Sequence, residues 1–131
     1  MLKQKIMISQ PMAGLTDDQI VEARNKFLKF AEKEGLDVIN THFQDEWYSN
    51  NAMTARGVVQ IPLCFLAKSL ESMSLCHKVY FAKGWENARG CIIEHEAAIR
   101  YGLEVIYEEE VMMNLLEGTS NEKHKKTTTF K

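Results

Sequence analysis

Short apolar runs, each closed by a glycine- or proline-bearing break and followed by a stretch of helical periodicity, constrain this chain more than any other feature. Lys5 to Ser9 is the first run, and Gln10-Pro11-Met12-Ala13-Gly14 breaks it. Thr16-Asp17-Asp18-Gln19 then reads as a capping box, with a hydroxyl at the N-cap, two acids in the first turn and glutamine at N3. Behind it Ile20, Ala23, Phe27, Phe30 and Ala31 recur on one helical face, and Gly35 sits where a left-handed C-terminal residue belongs. Leu36 to Ile39 follows at once as a second strand. Two strands joined through a helix pair in parallel, so the opening is a β-α-β unit.

The pattern repeats. Val58 to Ser74 carries helical spacing through Leu63, Leu66, Ala67, Leu70 and Met73, and Lys78 to Ala82 is a third strand. Lys83 to Arg89 is a loop, Gly90 to Tyr101 a helix closed by Gly102, and Leu103 to Tyr107 a fourth strand. Glu109 to Glu117 predicts a last short helix. Asn40 to Gly57 is polar and aromatic without a period, and reads as a long irregular stretch of the kind that serves as a functional loop. The alternation predicts an α/β domain with a parallel sheet covered on both faces.

Composition narrows the function classes. The chain has 131 residues and a net charge of −2. Residues 118–131 hold four lysines against one glutamate, a net of +3, which leaves −5 for residues 1–117. An acidic body lacks the clustered basic face that backbone binding to DNA or RNA needs, so no nucleic-acid polymer is expected as a partner. Residues 1–117 form the predicted domain. Residues 118–131 lack hydrophobic periodicity and read as a disordered Lys/Thr-rich tail. No apolar run nears the roughly 18–20 residues of a spanning helix, and the opening residues lack a signal peptide's apolar region. The expectation is a cytoplasmic protein with no membrane partner. Three cysteines without a CxxC pair argue against a disulfide framework and against a zinc ribbon. His95 lies between Glu94 and Glu96, but adjacent helical residues do not share a face. No metal or organic cofactor is expected.

In open α/β sheets ligands bind beyond the carboxyl ends of the strands. That selects the loop Gln10–Leu15 and the loop Lys83–Arg89. In the second, Gly84 and Gly90 permit close backbone approach, Arg89 offers a bidentate anion clamp, and Trp85 offers a flat face for a base or sugar. The following helix presents its free N–H groups to an anion. Glu94 shares a helical face with Cys91, Ala97 and Ala98, an apolar stripe that predicts partial burial. A carboxylate so placed is either a nucleophile or base, or a structural group satisfying nearby N–H donors.

Ser9-Gln10-Pro11-Met12-Ala13-Gly14, the stretch from Val79 to Cys91 containing Gly-Trp-Glu-Asn-Ala-Arg-Gly-Cys, and Glu94 with Ala98 and Gly102 resemble the nucleoside 2-deoxyribosyltransferase-like superfamily. The likeness covers roughly residues 4–107, and its nearest branch is a set of short bacterial and phage proteins. It implies a flavodoxin-like three-layer sandwich with strand order 2-1-3-4 and a homodimer or higher homo-oligomer. It also implies an N-glycosidic-bond enzyme, either a nucleoside deoxyribosyltransferase or a nucleoside 5′-monophosphate N-glycosidase, with Glu94 as nucleophile. By the same resemblance Ser9, Gln10, Pro11, Met12 and Gly14 close around sugar and base, while Asn87, Ala88, Arg89 and Gly90 hold a 5′-phosphate. The chain departs from the family in three places. Ser69 stands where transferases carry an aspartate that protonates the leaving base, and a serine is no general acid at neutral pH. His77 replaces an aspartate common in the branch, and Ala88 a serine or aspartate. Glu46, Asp45 and His42 are the alternative acids. The other readings are a non-catalytic nucleotide-binding or sensing protein of the same fold, and a partner-binding domain in which Glu94 is structural.

Overall fold

The computed structural model describes residues 2–40 and 46–117. Four parallel strands, β1 (Lys5–Ser9), β2 (Asp37–Val38), β3 (Lys78–Phe81) and β4 (Glu104–Tyr107), form one sheet in the order β2-β1-β3-β4. The helices are α1 (Asp17–Glu34), α2 (Asn50–Ala55), α3 (Ile61–Met73), α4 (Arg89–Arg100) and α5 (Glu108–Glu117). The molecule is thus a three-layer α/β sandwich of the flavodoxin-like kind. Among the described residues no helix is long and apolar enough to cross a membrane.

Period-two alternation along the strands builds both cores. Met7, Val79, Phe81 and Val105 point to one side, where they pack with Met73 of α3 and Ala98 of α4. Ile6, Ile8 and Tyr80 point to the other, against Phe27 and Ala31 of α1, with Val111 of α5 at the margin. The register places Ile8 opposite Tyr80 and Ser9 opposite Phe81. Ser9 is therefore on the face of Met7, the side on which α3 and α4 lie.

Thr16 and Gln19 form the capping box, and Gly35 ends α1 at φ 70° with its N–H returned to Ala31 and Glu32. The Asn40–Gly57 stretch departs from the irregular reading, for it contains a 3₁₀ turn at Glu46–Tyr48 and then α2. Ser49 caps α2 by accepting from the Ala52 N–H at 3.1 Å, Met53 is buried beneath it, and Arg56 lies over the Trp47 ring at 3.9 Å. α3 starts at Ile61 rather than Val58, with a proline in its first turn. β2 is two residues long rather than four, and α4 and α5 each begin one residue early. His42, Asp45 and the 118–131 tail lie outside the described residues.

Candidate functional site

β1 carries its one buried polar side chain at its carboxyl end, where the strand meets the loop. Ser9 is 2% exposed, and its hydroxyl donates to Glu94 Oε1 at 2.5 Å. Glu94 is 8% exposed, on the inward stripe of α4 that it shares with Cys91 and Ala98. Ser69 on α3 lies on the same cavity lining beside Glu94, and its hydroxyl favours the ionised carboxylate. Three elements that are distant in sequence thus converge on one carboxyl group. Burial pushes its pKa up, because a charge out of water loses solvation, and the Ser9 and Ser69 hydroxyls pull it back.

Glu94 lines a cavity of about 460 Å³, within the range of small-molecule sites. Residues 8–13 form one wall and residues 87–91 the other, with Ser69 beside Glu94. Gln10 is held to α1 by a hydrogen bond from its amide to the Ile20 carbonyl at 3.1 Å, which anchors the first wall. The second wall ends in the amino terminus of α4. Its N-cap is Ala88, with no capping side chain, and the first helical bond runs from the Ile92 N–H to the Ala88 carbonyl at 2.9 Å. The preceding N–H groups of the first turn open on the cavity without a side-chain partner, beside exposed Arg89. A Cβ built on Gly90 meets nothing within 4 Å, so protein packing is not what excludes a side chain there.

Most residues expected at the site are brought together. Ser9, Gln10, Pro11, Met12, Asn87, Ala88, Arg89, Gly90 and Glu94 all line the cavity. Gly14 and Gly84 do not, and act on its shape. Gly14 closes the turn in which the Leu15 N–H reaches the Met12 carbonyl, and Gly84 at φ 89° sits where a Cβ would lie 3.5 Å from Pro11 Cγ, so the two loops touch. Trp85 corrects the expectation. It lies outside the lining, stacked on His95 with ring centroids 4.0 Å apart and packed on Tyr107 at 5.9 Å, because the turn between β3 and α4 folds its ring back over the sheet's end. His95 in turn meets the Tyr107 hydroxyl at 2.6 Å, and burial lowers its pKa. Its neighbours are aromatic rather than ligating. Among the described residues no three His, Cys, Asp or Glu side chains gather to hold a metal ion.

Sequence reasoning placed Ser9 with the substrate and missed that it holds Glu94. The available signal was the strand alternation, which puts Ser9 on the side of the helix bearing Glu94. Cys91 was seen only as a stripe residue. It lines the cavity, and burial raises its thiol to about 11, against a hydrogen bond with Ser9 that lowers it. Comparisons with protein-family models, curated proteins and solved structures find no match for this chain, so the site is read from its own geometry.

Proposed function

We propose that the chain breaks or transfers the N-glycosidic bond of a nucleoside or nucleoside 5′-monophosphate, with Glu94 as nucleophile. The observation that carries this reading is a buried carboxylate on the cavity lining, held by the Ser9 hydroxyl and in the second turn from the uncapped start of its own helix. A carboxylate oxygen of Glu94 attacks the anomeric carbon, the base leaves with the bonding electrons, and a glycosyl ester remains. Water or a second base then attacks the same carbon and restores the carboxylate, with net retention. The first-turn N–H groups of α4 and Arg89 suit the phosphate of a monophosphate. The resemblance of the loop and helix residues to the nucleoside 2-deoxyribosyltransferase-like superfamily supports the same assignment.

A nucleotide-sensing role is the second reading, and Ser69 favours it, since a serine hydroxyl does not protonate a leaving base at neutral pH. Leu63 at 61% exposure, with Ile92 and Ile93 at 45% and 44%, leaves an apolar surface at the cavity-side ends of α3 and α4, which supports a homo-oligomer. The test is base release from nucleosides and their 5′-monophosphates, followed chromatographically together with the melting temperature. Base freed by the wild type and not by Glu94→Gln is the expected result. Stabilisation by a monophosphate without base release identifies a sensor. Neither signal contradicts both readings.

A further inference from the structure

The same cavity carries an inference about which N-glycosides it takes, and this inference rests on the glycosidic reading above. Breaking a neutral N-glycoside puts a developing negative charge on the departing base, and a positioned acid that protonates it contributes about 10²–10⁴-fold. The described lining is already committed elsewhere. The Ser9 hydroxyl donates to the Glu94 carboxylate, and the Ser69 hydroxyl beside it is no acid near neutrality. Cys91, the neighbouring thiol, is pushed up to about 11 by burial. The remaining side-chain donors are the amides of Gln10 and Asn87 and the guanidinium of Arg89, which like the backbone N–H groups give up no proton near neutrality.

Glu94 adds a positive requirement. Its carboxylate is buried, and burial raises its pKa, so the ionised form that attacks is the form the site disfavours. A neutral ring entering the cavity strips more water and deepens that penalty. A ring that carries a positive charge offsets it by direct Coulomb attraction in a poorly solvated space.

We propose that this site selects N-glycosides whose leaving ring is already cationic, namely N-ribosyl pyridinium or quaternised purine nucleosides. A carboxylate oxygen of Glu94 forms a bond to the anomeric carbon while the carbon–nitrogen bond breaks. The bonding pair moves onto the ring nitrogen, cancels its charge, and the base departs neutral with no proton supplied. Water then attacks the anomeric carbon of the ester, the carboxylate leaves, and one proton passes to solvent. Hydrolysis of a cationic substrate therefore releases one proton per turnover, whereas a neutral nucleoside that leaves as its neutral base releases none.

The experiment compares pairs that match in shape and differ in charge, using the whole chain. Nicotinamide riboside is set against its 1,4-dihydro form and 7-methylguanosine against guanosine, each also as the 5′-monophosphate. Free base is measured chromatographically and proton release in weakly buffered solution. The expected result is a kcat/KM for the cationic member at least about 100-fold above its neutral partner. One proton should appear per base released, and both signals should vanish in Glu94→Gln. Ser69→Asp, which sets a carboxyl beside Glu94, should narrow the gap by raising turnover of the neutral partner. Equal cleavage of neutral and cationic members overturns the selectivity and leaves the glycosidic reading standing. Absence of cleavage for every substrate overturns both.

Discussion

The amino termini of α1 and α4 are built on opposite plans. α1 is closed by its own sequence. Thr16 accepts from the Gln19 N–H at 3.1 Å, Gln19 returns the bond to the Thr16 N–H at 2.9 Å, and Asp17 and Asp18 meet the positive end of the helix dipole. α4 starts at Ala88 with no side-chain cap and no acid in its first turn, and puts glycine at the second helical position. An alanine at the N-cap forgoes about 1 kcal/mol, and a helical glycine costs roughly 0.5–1 kcal/mol. The helix that gives up this stability is the one whose first turn opens on the cavity of Glu94. At α1 the terminus is satisfied by its own side chains; at α4 it lines the cavity with no side-chain cap.

The largest expected effect comes from making α4 resemble α1. Ala88→Asp supplies the missing cap and an acid at the dipole's positive end. It should raise stability by about 1 kcal/mol and weaken 5′-monophosphate binding at least about tenfold, with the parent nucleoside less affected. Thermal shift titrations with the paired ligands read both quantities, and unchanged monophosphate affinity would separate the helix terminus from the site. The reverse change sharpens the contrast, for Thr16→Ala should cost about 1 kcal/mol in denaturant unfolding and leave ligand affinity as it was. Gly90→Ala should be smaller, a gain of roughly 0.5–1 kcal/mol in stability because its methyl meets no protein atom, with the loss confined to binding.

The smallest change is a shift along the pH axis. Ser69→Ala removes one of the two hydroxyls that favour ionised Glu94, so its pKa rises further and the acid limb of base release moves to higher pH. The sign for stability follows from linkage. A carboxyl whose folded pKa lies above its unfolded value contributes most below the unfolded pKa, and that contribution is lost as pH rises through the folded pKa. Glu94→Gln should therefore be relatively more stable than the wild type at neutral pH, and the difference should shrink toward pH 4.

The features that proved readable from sequence are those set by local physics. The Thr16–Gln19 box, the left-handed Gly35 and the strand alternation each depend on residues a few positions apart, whereas the strand order was implied by the family resemblance. The burial of Glu94 was readable for the same reason, through its stripe with Cys91 and Ala98. α2 was not, because Asn50 and Asn51 are poor helix interiors and its stability comes from Met53 beneath it. Nor was the orientation of Trp85, whose ring is claimed by His95 and Tyr107, 10 and 22 residues further on. Ser69 was recognised only as a substituted position. That it lies beside Glu94 on the cavity lining is decided by how α3 packs on α4, which no local pattern carries.

The most direct test of the central claim is whether Glu94 forms a covalent ester with the sugar. The wild type is mixed with a 2-fluoro-substituted nucleoside, whose fluorine slows hydrolysis of the intermediate, and the intact chain is weighed by mass spectrometry. The account predicts a mass increase equal to the sugar, located by digestion to the peptide bearing Glu94 and missing in Glu94→Gln. Base release from the wild type with no adduct on that peptide would contradict it.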